Sequence, residues 1–344
     1  MEAFENEQIL QNWKPYQNML LEKYTSGLVS ILICSCNRRV ALEALVTSLL
    51  EMETKHAFEI VVVEETDQPE AINGTIYVHH PVANLGIPYA RNLALAHGKG
   101  EFIVFLDDDC HIFDRWLDML LKPFKDRSLV GVQGGVTVPA ETNAIGWAET
   151  ILGVPGGGVR RLLESKGRIQ ETREISTLNC AYRASVLDWI GGFEKQLKFT
   201  GEDYLLAKQA CMYGRCLFVP TAVVAHEARG SLHKIWHWFI RRGRAEVDVI
   251  RTGKQKDTTI WTVIRSSFGI KICLLISIGI FLFDWFILSI LIGFLAYCLV
   301  QFVRYYKPWK SSGAKRNTFI LIPLVKLTMD VAMDYGRLRG ILFD

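Results

Sequence analysis

A mostly parallel α/β sheet, flanked by helices, is the fold the sequence predicts for residues 28–255. Three observations predict it. Apolar runs of strand length at 28–34, 58–65 and 102–106 are continuous rather than alternating, as strands buried on both faces are. They are interleaved with helical repeats in the order β-α-β-β-α-β, which calls for parallel pairing. The run FIVFL (102–106) ends directly in Asp107, Asp108 and Asp109, and the carboxyl edge of such a sheet is where ligands bind.

Taken in order, residues 1–27 read as an N-terminal helix or extension. It is acidic and lacks the basic and apolar regions of a cleavable signal peptide. LVSILIC (28–34) is rich in β-branched residues and reads as the first strand. Asn37 is expected to cap a helix from Val40 to Glu53, with Leu42, Leu45, Val46, Leu49 and Leu50 on one face. FEIVVVEE (58–65) and TIYVHH (75–80) read as strands. NLGIPYARNLALAHGKG (84–100) is a loop leading into a helix that ends at Gly98, and FIVFLDDD follows. GVQGGVTVP (131–139) is a further strand. The excursion 141–174 contains GVPGGGVRR (153–161), whose glycines predict a loop; it lacks the spacing and Lys-Ser/Thr ending of a phosphate loop. A helix opens at GEDYLLAKQACMYG (201–214), and CLFVPTAVVAHE (216–227) is the last strand.

Composition narrows the function classes. The net charge is +3, so charge implies no nucleic-acid partner. The mean hydropathy of +0.17 is high for a chain with 22% charged residues, and the cause is local. Residues 268–303 are almost wholly apolar, broken chiefly by Lys271 and Asp284. That length fits two short crossings, with the break at Asp284-Trp285; one tilted helix or a buried hairpin are the alternatives. Arg265 and Lys271 before the tract, and Arg304, Lys307 and Lys310 after it, would place both ends in the cytoplasm. Residues 256–344 are thus expected to be membrane-associated, with a hairpin at 266–303 and an interfacial helix at 319–342. The eight cysteines form neither a disulfide framework nor a zinc pattern.

Three adjacent carboxylates at a strand end repel one another unless a cation sits among them. A hard divalent ion such as Mg2+ or Mn2+, shared with substrate phosphates, suits that donor set; a solvated acidic turn is the alternative.

SILICSCNR, IVVVEETD, NLGIPYARNLALAHGKGEFIVFLDDD and GGFEKQLKFTGEDYLLAKQACMYG, in that order and spacing, resemble the family 2 glycosyltransferases of the GT-A fold over roughly residues 28–250. The resemblance implies sugar transfer from a nucleotide-diphospho-sugar donor to an acceptor hydroxyl. Asp107 and Asp109 then match the Asp-x-Asp positions, with Asp107 reaching the ribose or the metal and Asp109 ligating the metal; Asp108 fills the middle. Asn84 and Arg91 match the segment that meets the donor. Glu64 stands where an aspartate usually receives the base's ring N–H. His226 matches a metal-ligand histidine. Asp203 matches the catalytic base, near a helix N-terminus that favours its ionised form, and Glu202 beside it would position the acceptor. An acidic helix cap is the other reading of Asp203.

SLHKIWHWFIRRGR (231–244) adds Trp238 for the acceptor, and Arg241 and Arg244 for a diphosphate or for anionic headgroups. The expected protein is an inverting, metal-dependent transferase at the inner (cell) membrane. Its catalytic domain would be cytoplasmic, its acceptor a lipid-linked or cell-surface glycan, and its remaining partners membrane lipids. A nucleotidyltransferase or other nucleotide-sugar enzyme, and an inactive membrane scaffold, are the competing classes. The former would want a basic Gly-rich triphosphate loop near the first strand, which is not found.

Overall fold

The computed structural model describes residues 23–82, 85–198, 200–254, 259–283 and 286–343. Of the N-terminal helix or extension expected at 1–27, residues 1–22 lie outside them, and from Thr25 the chain is already in the first strand. In chain order the described elements are β1 (Thr25–Cys36), α1 (Arg39–Leu50), β2 (Phe58–Glu65), β3 (Ile76–His80), α2 (Ile87–His97), β4 (Gly100–Asp107), β5 (Cys110–Ile112), α3 (Trp116–Leu121), β6 (Leu129–Thr137), α4 (Ala144–Ile151), α5 (Gly158–Ser165), β7 (Gln170–Glu171), β8 (Asn179–Arg183), α6 (Ala184–Ile190), α7 (Glu202–Ala210), β9 (Arg215–His226), α8 (Leu232–Arg251), α9 (Ile260–Ser266), α10 (Phe268–Phe283), α11 (Phe286–Ser312) and α12 (Arg316–Leu342).

Among the described residues one nine-stranded sheet runs in the order β3-β2-β1-β4-β8-β6-β9-β5, with β7 on β9. The first four of these strands are all parallel, as their continuous apolar runs predict. β8 enters antiparallel between β4 and β6, while β6 and β9 pair parallel. Val61, Val62, Val63, Val104 and Phe105 are almost fully buried, so both faces of the sheet are covered. Leu42, Leu45, Val46 and Leu49 of α1 pack on one face, and Ala90 and Ala94 of α2 on the other.

Two local expectations are corrected. Asn37 does not cap α1: it adopts φ 54°, and the cap position falls to Arg38, whose side chain makes no capping bond. The glycine-rich stretch is a turn only as far as Gly157, and Gly158–Ser165 is helical. Glycines 153, 156, 157 and 158 absorb the positive φ values that the turn needs.

The chain forms two compact units. One holds the sheet, through Thr137 and then Ser165–Lys198 and Glu202–Glu227; the other gathers Val138–Glu164 with the chain from Ala228. In the second unit α8 and α12 approach closely. A Cβ on Gly243 would lie 2.1 Å from the Met333 carbonyl oxygen, and one on Gly336 2.1 Å from that of Ile240. Arg337 donates to Glu246 and Asp334, tying the two helices together beside that crossing. The opposite face of α12 exposes Ile320, Leu324, Val331, Leu338 and Leu342.

Residues 290–312 of α11 form the one stretch, among the described residues, long and apolar enough to cross a membrane. α10 has 16 residues, which at about 1.5 Å each is shorter than the ~30 Å of a bilayer core. The expected break at Asp284-Trp285 lies outside the described residues.

Candidate active site

Parallel registry brings the chemistry to one edge. Cys34 pairs with Asp107, Ser35 with Glu64, and Cys36 with Glu65. The carboxyl ends of β1, β2 and β4 therefore finish side by side. The chain turns at Asp108 and Asp109 into β5, which runs antiparallel to β9 and sets Cys110 opposite His226. Glu227 N–H donates to the Asp109 carbonyl at 3.2 Å, closing that corner. Two residues separated by more than a hundred positions are thereby neighbours: His226 Nε2 lies 3.0 Å from Asp109 Oδ1 and 4.0 Å from Asp107 Oδ2.

Each of Asp107, Asp109 and His226 offers one ligand atom, and these atoms lie within 4.8 Å of one another. Two carboxylate oxygens and an imidazole nitrogen form a donor set that fits Mn2+ or Mg2+. The three aspartates are electrostatically distinct. Burial would raise Asp109, but His226 and Arg38 outweigh it and hold the carboxyl at about 2. Burial pushes Asp107 up against the pull of Arg91 and His226. Asp108 is buried and is raised to about 6, with Ser35 and Arg38 opposing. Its two oxygens take the Ser35 hydroxyl at 2.7 Å and Arg38 Nη1 at 3.0 Å. Arg38 Nη1 also donates to Asp109 Oδ2 at 2.6 Å, so Asp108 anchors the turn through this arginine.

Arg91 reaches the same edge from α2. Its Nη2 donates to Asp107 Oδ1 at 3.3 Å, and its Nη1 pairs with Glu202. Burial works against the guanidinium's charge, yet Glu202 and Asp107 lift its pKa above the ordinary value. Burial pushes Glu202 up to about 7, with Arg91 pulling the other way. Asp203, the next residue, is only partly buried, and its Oδ1 accepts from Tyr204 N–H at 2.8 Å in the first turn of α7. A continuous path of charged groups thus links Asp107 to the Glu202-Asp203 pair.

Glu64 is 1% exposed. Its Oε2 accepts from Arg39 Nη1 at 3.0 Å and from the Tyr77 hydroxyl at 2.6 Å. Asn84 lies outside the described residues. Trp238, Arg241 and Arg244 lie on α8 in the second unit, where the Arg229 guanidinium stands 4.0 Å over the Trp238 ring and pairs with the fully buried Glu149. Sequence reasoning missed Arg38, Arg39, Tyr77 and the Glu149–Arg229 pair. The two adjacent arginines had a usable signal, since they directly follow a strand of the same expected sheet as the one ending in three aspartates. The Glu149–Arg229 pair had none, because its partners are 80 positions apart.

Comparison with known proteins agrees with this fold. The family description "Glycosyl transferase family 2" matches residues 30–189. The chain is 30% identical over 180 residues to the succinoglycan biosynthesis protein ExoM of Rhizobium meliloti, covering 51% of this chain and 54% of that one. It is 27% identical over 223 residues to a pre-mycofactocin glycosyltransferase of Mycobacterium tuberculosis, covering 62% and 45%. The chain thus spans about half the length of these curated relatives. Among solved structures, the mannosyltransferase PcManGT of Pyrobaculum calidifontis, in complex with GDP-Man and Mn2+, superposes with a TM-score of 0.52 at 17% identity. That match covers 99% of this chain and 96% of the other, and it shows the GT-A fold.

Proposed function

We propose, from the match of residues 30–189 to glycosyl transferase family 2, that the chain moves a sugar, with inversion, from a nucleotide-diphospho-sugar to a hydroxyl of a lipid-linked or cell-surface glycan at the cytoplasmic face of the cell membrane. The observation that carries the reading is the convergence of Asp107, Asp109 and His226 at the carboxyl edge, joined through Arg91 to Glu202-Asp203.

Asp107, Asp109 and His226 would hold Mg2+ or Mn2+, which supplies positive charge to the departing nucleoside diphosphate. The protein's own groups do the rest. Arg91 opposes the burial that raises Asp107 and orients its carboxyl group, and through Glu202 fixes the start of α7. Asp203 takes the proton of the acceptor hydroxyl as that oxygen attacks the anomeric carbon. One base suffices for direct displacement and inversion, whereas a double displacement needs a carboxylate nucleophile as well. Glu202, the nearest other carboxylate to Asp203 in sequence, is engaged by Arg91.

A glycan acceptor is supported by the succinoglycan biosynthesis relative. Membrane attachment is supported by the apolar stretch Ile290–Ser312 and the exposed stripe on α12, with Arg241 and Arg244 meeting anionic headgroups. The test is a screen of UDP-, GDP-, dTDP- and CDP-sugars for Mn2+- or Mg2+-dependent hydrolysis and thermal shift. Turnover of one donor, abolished by chelation, supports the reading; no metal-dependent binding of any donor refutes it.

A further inference from the structure

A second pair of metal-ligating side chains lies outside the acidic edge. His233 and His237 are four residues apart in α8, so they share one face of the helix. Both are exposed. Their Nε2 atoms lie 3.1 Å apart, with ring centroids separated by 4.4 Å. The backbone beneath them is already set. Ser231 caps the helix, its hydroxyl accepting from Lys234 N–H at 3.3 Å. Ile235 and Phe239 are buried on the other side of α8, in the apolar cluster with Ile151, Ile322 and Val325. That packing fixes the rotation of the helix and turns the two imidazoles outward.

The separation identifies the ligand class. An imidazole nitrogen binds Zn2+ at about 2.0–2.1 Å. Two such bonds at a tetrahedral angle place the nitrogens about 3.3 Å apart; at a right angle, as in square-planar Cu2+ or Ni2+ sites, they stand about 2.9 Å apart. The observed 3.1 Å lies between these. Both rings therefore reach one ion with little movement, while in the metal-free protein one ring donates a hydrogen bond to the other. Nitrogen donors suit such ions better than Mg2+ or Mn2+, for which the oxygens of Asp107 and Asp109 are the better match. Two protein ligands leave the remaining positions of the ion to water. Lys234 stands where the zinc helix of a metalloprotease, His-Glu-x-x-His, has its glutamate base, so this pair has a binding role and no general base.

We infer that His233 and His237 form a metal site on α8, with residues of its own, that takes a late first-row divalent ion such as Zn2+, Ni2+ or Cu2+. The bound ion clips the first turn of α8, the helix that carries Trp238, Arg241 and Arg244. It binds the folded chain, in which the two rings are held together, and so stabilises it by mass action. The inference goes beyond the transferase reading and does not depend on it.

Isothermal calorimetry of the full-length protein, with NiCl2, ZnCl2 or MnCl2 as the only added metal, tests the site alongside thermal melting of the same samples. His233→Ala, His237→Ala and Asp109→Ala are compared with the wild type. Both histidines are exposed, so their alanine variants should melt as the wild type does without metal. Ni2+ and Zn2+ are expected to bind a site that each histidine variant weakens about 10²-fold, the worth of a second tethered ligand, and that Asp109→Ala retains. The rise in melting temperature with Ni2+ should shrink in both histidine variants. Mn2+ binding should be lost in Asp109→Ala and unchanged in the histidine variants. Ni2+ and Zn2+ isotherms that neither histidine variant alters, that only one of them alters, or that Asp109→Ala alone abolishes, overturn the site and leave the pair a hydrogen bond. Loss of Mn2+ binding in the histidine variants overturns the separation of the two sites.

Discussion

Replacing Asp203 by asparagine separates the chemistry from the scaffold better than any other single change at this site. Asparagine keeps an oxygen at Oδ1, so the 2.8 Å bond from Tyr204 N–H can survive. Only the charge and the second oxygen are lost. Removing a negative charge from the first turn of a helix costs about 0.3–1 kcal/mol, so the melting temperature should barely move. Donor and metal binding should persist, because Asp107, Asp109 and His226 are untouched. Transfer, however, should fall about 10²–10⁴-fold, or roughly 3–5 kcal/mol of barrier. The loss should appear in kcat and not in donor affinity. The assay is initial-rate transfer at saturating donor, beside calorimetry and thermal melting of the same preparation. Near-wild-type turnover by Asp203→Asn would refute the base assignment. A melting temperature lowered in step with activity would refute the separation of roles.

Three other outcomes follow from the geometry. Asp109→Ala should abolish Mn2+-dependent donor binding while leaving a folded protein, since it removes one of the three converging groups proposed to hold the metal; calorimetry with unchanged affinity would exclude the site. Burial holds Glu202 above its ordinary 4.5, at about 7, so the stability it contributes is complete below pH 4.5 and is lost as pH rises through 7. Thermal melts of the wild type against Glu202→Gln should therefore diverge by roughly 1–3 kcal/mol between pH 5 and 8, the wild type losing ground, and parallel curves would contradict this. Leu295 and Leu299 of α11 are exposed; changing both to lysine, at about 2.5–3.5 kcal/mol each at the centre of a span, should release the protein from sedimenting membranes without lowering its melting temperature in detergent.

The local physics of the chain was legible without coordinates. Continuous apolar runs such as IVVV and FIVFL announce strands covered on both faces, and the order in which helices interrupt them calls for parallel pairing. Three consecutive aspartates at a strand end demand a counter-charge wherever that strand sits, so the metal-like character of the site could be read from composition and place. Other features depended on which distant segments meet. Asp108 has the same chemistry as its neighbours, yet the turn buries it on Ser35 and Arg38 while Asp107 and Asp109 converge with His226. Arg91 could be matched to a motif, but its bridge from Asp107 to Glu202 requires α2 and α7 to converge on one edge. The crossing of α8 and α12 rests on Gly243 and Gly336, 93 positions apart in the sequence. Propensity and hydropathy act over a turn or a strand, whereas burial, ion pairing and ligand geometry are set by packing between segments that sequence distance does not relate.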